Sequence, residues 1–386
     1  MTNASANAAE TGSGSAALTR GGLILPIDGL RAVAIFLVIL YHVWRWRGGA
    51  PSVALATVAY NGWCGVDVFF AISGYLITGI LLDLRDRPSR WRTFFVRRTL
   101  RIFPLYYATL AALLAGYAFA RAAGVTLNDP AFTSMPRLWV NALYLSNFDM
   151  AIHGQGHVPL DIAWSLAVEE QYYLAYPWLV WWLGRERLSG ALWAAVAVAY
   201  ASRFGLTLAT GSTSPAYGLP FCRMDALALG GLALLLLRYG DERTVARVSA
   251  AAPWLTLAVV AFFAVHTPPL VSATFKYGLV AAVTSAWIVR ILSARGPVAA
   301  RALSHPVAVR VGKLSYGIYL FHVFVRAVVD KGPLGRLLSG HASSFTLSVV
   351  RLAVVCAVTY LLAELSFRLF ESPILKLKDR LAPSPR

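Results

Sequence analysis

Residues Leu25 to Trp46 read LPIDGLRAVAIFLVILYHVWRW. As a helix rising 1.5 Å per residue, this run is about 30 Å long, the thickness of the hydrocarbon layer of a bilayer. Yet it carries Asp28, Arg31 and His42 inside or at the edge of its apolar stretch. A charged side chain in a membrane helix costs roughly 2.5–3.5 kcal/mol on insertion scales, so it faces a polar interior and has a use there. Arg31 and His42 are eleven positions apart. Eleven steps of about 100° bring a helix nearly back to its starting angle, so both side chains lie on one stripe, about 16 Å apart along the axis.

Composition agrees with a bilayer setting. The chain has 386 residues, of which 58% are hydrophobic and 14% charged, and its mean hydropathy is +0.60. Soluble globular domains are about one quarter charged. The formal net charge of +17 would suit nucleic acid, but in a protein with many spans basic residues collect in cytoplasmic connections. Their placement decides for the membrane and against a nucleic-acid partner. Cys64, Cys222 and Cys356 have no CxxC spacing, which argues against a disulfide scaffold or zinc site and for plain packing.

The expected class is all-α: a polytopic integral membrane protein of about ten transmembrane helices. After the first run come Val66 to Leu84, Phe103 to Phe119, Trp164 to Leu183, Leu192 to Leu208 and Leu219 to Leu237. Trp254 to Val265, Phe275 to Leu292, Leu314 to Val329 and Phe345 to Phe370 complete the set. The Leu138 to Phe148 segment is too short to cross. Residues 1–22, rich in Ala, Ser, Thr, Gly and Asn, read as a flexible tail, residues 23–375 as the membrane domain and 376–386 as a basic tail.

Connections alternate in charge. The one after the second run carries Arg85, Arg87, Arg90, Arg92, Arg97, Arg98 and Arg101. Later even-numbered connections hold further arginines and lysines, whereas the odd ones hold fewer, such as Arg45 and Arg47, or Lys331 and Arg336. This bias places both termini in the cytoplasm. Arg31 then lies toward the cytoplasm and His42 in the outer half. No repeat of 20–50 residues and no inverted duplication is evident.

Several constellations carry potential chemistry. Arg31 either pairs with Asp28 or neutralises an anionic donor or oxyanion. His42 is either hydrogen-bonded at an aromatic interface or acts as a general base or acyl carrier. In GVDVFFAISGYLIT, Asp67 opens a helix and Ser73-Gly74 is expected to serve close packing. Arg98 and Arg101 share a helical face; with Arg97 they either anchor the chain against anionic lipid or grip phosphates. Trp164 starts WSLAVEEQYYLAYP, whose adjacent Glu169 and Glu170 point about 100° apart and can serve different partners. At least one is expected to face the Arg31–His42 cavity or a buried cation, as a catalytic group that orients His42 or completes the charge balance. Arg223 and Asp225 read as a structural pair, and His322 as a packing histidine or a substrate contact. Glu371, before Ser372-Pro373, reads as a structural stop to the last helix. His153, His157, His305 and His341 lie in loops without partner spacing. No metal motif, P-loop or GxSxG elbow is present.

The strings DGLRAVAIFLVILYH, GVDVFFAISGYLIT, FFVRRTLRIFPLYY, WSLAVEEQYYLAYP, RMDALALGGLAL, VGKLSYGIYLFHV and FESP follow one another from Asp28 to Pro373. In this order they resemble the acyltransferase-3 family of integral membrane O-acyltransferases. The resemblance implies transfer of an acyl group, most often acetyl from acetyl-CoA, to a hydroxyl. The implied acceptors are sugars of surface polysaccharides, lipopolysaccharide or glycosylated natural products. It makes Arg31 and His42 the essential pair, puts acyl-CoA binding at Arg98 and Arg101, and needs no metal. It also implies the bacterial cytoplasmic (inner) membrane, with any polysaccharide-assembly partner on a separate chain, because this chain is expected to be a stand-alone membrane unit. On residue chemistry alone, the same stripe suits a proton-coupled transporter or flippase of a polar or lipid-linked solute, and a non-catalytic sensor is a third reading.

Overall fold

The computed structural model describes residues 19–20, 23–44, 57–124, 133–332 and 345–382. Most of the tail 1–22 lies outside these, as do Arg45, Arg47, Arg336 and His341. Thr19–Arg20 pairs antiparallel with Leu23–Ile24, and every other element of the described residues is helical.

Ten helices of 19 residues or more make up the bulk of the described chain: α1 Leu25–Val43, α2 Gly65–Leu84, α3 Arg90–Ala122, α4 Trp164–Trp182, α5 Arg185–Thr210, α6 Pro220–Tyr239, α7 Glu242–Ala264, α8 Pro269–Leu292, α9 Pro306–Lys331 and α10 Phe345–Ser366. Eight are long and apolar enough to cross a membrane. The exceptions are α4 and α9. In α4, Trp and Tyr dilute the apolar run and Glu169-Glu170 interrupt it; in α9, Arg310, Lys313, Arg326, Asp330 and Lys331 do so. Polarity is turned inside out, since Arg203, Arg223, Asp225, Asp67 and His322 are fully buried while Phe119, Trp254 and Leu369 are exposed. That inversion is what lipid demands of a surface.

Several boundaries differ from the apolar runs, for one reason: apolarity marks the part of a helix that meets lipid, not the whole helix. Thus α3 begins at Arg90, so Arg97, Arg98 and Arg101 are helical rather than loop residues. Arginine is a good helix former and no breaker intervenes before Pro104. Likewise α7 begins at Glu242, where the Asp241 side chain caps the Thr244 N–H. Glu371 does not stop the last helix. It sits in a π-helical turn, Phe367–Glu371, that leads into a further helix, Ser372–Leu381, which runs on into the stretch read as a basic tail. The 138–148 segment is broken into short helices, Leu138–Ala142 and Ser146–His153, by Tyr144 at φ 55°.

The chain divides into two compact units. The first comprises Met1–Ile72, Ala233–Val265 and Ala282–Ala363; the second comprises Ser73–Leu232, His266–Ala281 and Glu364–Arg386. In the first unit α1 packs along α9. The two run parallel: Asp28 near the start of α1 meets Gly312, and His42 near its end meets His322, further along α9. The approach is backbone to backbone, because a Cβ on Gly312 would collide with the Asp28 carbonyl oxygen. In the second unit Gly74 of α2 makes the same kind of contact with the Leu227 backbone of α6, which is the close packing expected of the Ser73-Gly74 pair.

Candidate active site

The α1–α9 seam of the first unit places two imidazoles together. The His42 and His322 ring centroids lie 4.9 Å apart at 57°, and Tyr41 presents an edge contact to His42 at 5.1 Å. His42 Nδ1 is 2.8 Å from the Val38 carbonyl oxygen one turn back and 3.3 Å from His322 Nε2. His322 Nδ1 is 2.6 Å from the Tyr319 carbonyl oxygen. Carbonyl oxygens only accept, so the hydrogen-bond network assigns a proton to Nδ1 of each ring. His322 Nε2 then offers a lone pair to the His42 Nδ1–H, and the remaining lone pair of the pair belongs to His42 Nε2.

Arg326, one turn beyond His322, donates from Nη1 to the His42 carbonyl oxygen at 3.3 Å. That carbonyl belongs to the last turn of α1, where no intrahelical donor remains and a cation is favoured. His322 is fully buried, whereas His42 keeps partial exposure. At the other end of α1, Arg31 Nη1 lies 4.0 Å from Asp28 Oδ1. The Arg31–His42 stripe therefore carries an ion pair at its start and the imidazole pair at its end. Asp67, in the first turn of α2, is also fully buried.

The second unit gathers another set of the expected residues. Arg98 lies over the Tyr173 ring at 5.3 Å, and the charges of Arg101, Glu169 and Glu170 act on it. Ser73 donates from Oγ to Glu169 Oε1, so its hydroxyl has a polar partner beyond the packing role expected of it. Glu170 Oε1 is buried without a hydrogen-bond partner among the described residues. Glu371 accepts from Ser366 Oγ at 3.2 Å and feels the charge of Arg101. Arg97 Nη1 donates to the Ala382 carbonyl oxygen at 2.7 Å, holding the end of the Ser372–Leu381 helix against α3.

Arg223 and Asp225 do not pair as expected. Asp225 accepts from Arg203 Nη2 at 2.8 Å, and Arg203 also donates to the carbonyls of Cys222 and Thr274 at 2.6 and 2.9 Å. The Arg223 guanidinium instead sits 3.9 Å from the Tyr277 ring centroid, with Tyr217 and Trp164 at 5.4 and 5.5 Å. Two of the histidines read as loop residues have partners, and His153 is not in a loop but closes the helix Ser146–His153. His153 Nδ1 lies 3.2 Å from Asp149 Oδ1, and His305 caps α9 by accepting from the Val307 N–H. Outside the helical spans, burial pushes the Asp161 carboxyl up to about 6.

Arg203, Arg326 and Tyr173 were not singled out by their sequence context. A signal existed for two of them. Arg203 is a lone charge in the Leu192–Leu208 apolar run, and Arg326 stands one turn from His322. Among the described residues no group of three or more His, Cys, Asp or Glu is placed to hold a metal ion, and the three cysteines are free.

Residues 24–364 match the family described as Acyltransferase domain, acyltransferase-3. The peptidoglycan O-acetyltransferase OatA of Listeria monocytogenes serovar 1/2a is 28% identical over 374 residues, covering 91% of this chain and 55% of that protein. YrhL of Bacillus subtilis (strain 168), a candidate peptidoglycan O-acetyltransferase, is 29% identical over 371 residues, covering 90% and 54%. A candidate O-acetyltransferase of Staphylococcus aureus (strain COL) is 26% identical over 381 residues, covering 91% and 57%. The chain thus spans about half the length of the curated relatives it matches. No solved structure matches it.

Proposed function

The chain belongs to the acyltransferase-3 family, and from that premise we propose that it is a multi-pass O-acetyltransferase of the bacterial cytoplasmic membrane. In this reading it takes acetyl from acetyl-CoA and places it on a hydroxyl of a surface glycan. Peptidoglycan is the first acceptor to test, because two of the relatives carry that name. All ten long helices cross the bilayer, with both termini cytoplasmic as the basic connections favour.

His42 is the base. Its Nε2 accepts the proton of the acceptor hydroxyl, the oxygen attacks the thioester carbonyl carbon and the carbon–sulfur bond breaks. The proton then passes from His42 Nε2 to the departing thiolate, so the histidine is regenerated. Arg31, held by Asp28, supplies positive charge on the same helix face for donor or oxyanion. In the second unit Arg98 and Arg101 hold the phosphates of the donor. Glu169, fastened by Ser73, and Glu170 place negative charge near Arg98.

The observation that carries this reading is the half-buried His42 ring, whose Nδ1 side is fully engaged by Val38 and His322 and whose other nitrogen is left for chemistry. The test is acetyl transfer from acetyl-CoA to glycan fragments by purified protein. A His42→Ala variant that inserts and folds is expected to lose transfer by 10²-fold or more, roughly the share of a general base. Retained transfer would refute the assignment.

A further inference from the structure

A base is only as good as its aim, and an imidazole on a helix end has two ring orientations and two tautomers available. Val38 fixes part of this, since its carbonyl accepts from His42 Nδ1–H at 2.8 Å. A single i−4 contact lies along the helix, and the ring can still swing about it. His322 approaches from another helix, with Nε2 3.3 Å from the same nitrogen and its ring tilted at 57° against that of His42. Its own Nδ1–H is bound to Tyr319, which leaves Nε2 able only to accept. With every atom of His322 enclosed, it has no route to a substrate.

We propose that His322 is a positioning residue for acyl transfer, holding the His42 ring so that Nε2 of His42 is the reacting nitrogen. This rests on the reading of His42 as the base. When His42 Nε2 takes the hydroxyl proton, the ring becomes an imidazolium and its Nδ1–H a stronger donor. The His322 lone pair meets that donor at the moment of charge development, as a carboxylate does in a hydrolase triad, but without carrying a negative charge. Arg326 completes the arrangement by fixing the His42 backbone through its carbonyl oxygen.

The test compares His322→Leu, His322→Gln and His42→Ala in the full-length protein, with acetyl-CoA as donor. Glutamine sets an accepting oxygen close to where Nε2 stands; leucine sets none. The expected result for His322→Leu is a fall in kcat of about 10²-fold with KM for acetyl-CoA unchanged, part of what a base contributes. His322→Gln should recover kcat to within about tenfold of the original. Nitrogen-15 spectra of histidine-labelled protein should show Nε2 of both His42 and His322 unprotonated, and the His42 line should move in His322→Leu.

If His42→Ala is inactive while His322→Leu turns over normally, the positioning role is overturned and the base assignment stands. If His42→Ala is active, both fall. Equal loss in the leucine and glutamine variants, or a protonated His42 Nε2 in the spectra, also overturns the proposal. Because the spectra are taken on the unsubstituted protein, they decide the tautomer even where the leucine variant does not fold.

Discussion

Replacing Gly312 by alanine tests how finely the α1–α9 seam sets the imidazole pair. Cβ atoms keep about 3.0 Å or more from other heavy atoms, and a Cβ built on Gly312 falls well inside that limit from the Asp28 carbonyl oxygen. Both partners are backbone, so neither gives way without moving a helix. Clearing the contact requires separation on the order of 1 Å. If the helices move as rods, the same shift carries His42 Nδ1 and His322 Nε2 from 3.3 Å past the reach of a hydrogen bond. Misplacement of about 1 Å costs on the order of 10²-fold in rate, or about 2.7 kcal/mol of transition-state stabilisation, alongside an overpacking penalty of about 1–3 kcal/mol in stability. The control is Gly116→Ala in α3, where a Cβ meets nothing within 4 Å and alanine favours the helix by up to about 1 kcal/mol. The assay is kcat for acetyl transfer on protein of verified fold. A Gly312→Ala enzyme within twofold of the original would refute the claim that backbone contact sets the site.

Three further outcomes follow from other parts of the molecule. Arg203→Met leaves Asp225 buried without its cation, and thermal unfolding in detergent should report a loss of about 3–5 kcal/mol; a small loss would mean that Asp225 is held by other means. The double variant Arg98→Ala/Arg101→Ala should weaken acetyl-CoA binding by about 10–100-fold, the worth of a charge-assisted bond of about 1.5–3 kcal/mol. Unaltered affinity in a direct binding measurement would return these arginines to lipid anchoring. The Asp161 carboxyl, raised by burial to about 6, binds its proton more tightly when folded than when unfolded. Its contribution to stability therefore falls as pH rises from about 4 through 6. Asp161→Asn should flatten that segment of the stability–pH curve, and an unchanged curve would dismiss the burial effect.

The long helices were legible because an apolar run of spanning length is at home in few places besides a bilayer. The polar residues embedded in them were legible for the same reason: Asp28, Arg31, His42 and the Glu169-Glu170 pair stand out against their surroundings. Contacts between helices were not. Nothing in the spacing of α9 says that His322 faces His42, because helix periodicity gives a face but not a neighbour. Arg223 and Asp225, two positions apart, suggested a pair by proximity in sequence, yet side chains at i and i+2 point away from each other on a helix. Arg203 from α5 took the carboxylate instead. The start of α3 was hidden by its arginines, which mark a loop by charge but a helix by propensity.

The parallel course of α1 and α9 has a consequence in parity. If α1 and α9 both cross the bilayer, as the proposed topology has it, they point the same way through it and must be separated by an odd number of crossings. Between them, α2, α3, α5, α6, α7 and α8 have the length and apolarity to cross, and six is even. One more traverse is needed, and α4 is the remaining long helix of that interval. On that topology α4, which bears both glutamates and falls short of the apolarity of the other helices between α1 and α9, is counted among the crossings by a backbone contact elsewhere in the chain. A tag placed before Trp164 and one placed after Trp182 should then be reached from opposite faces of the membrane.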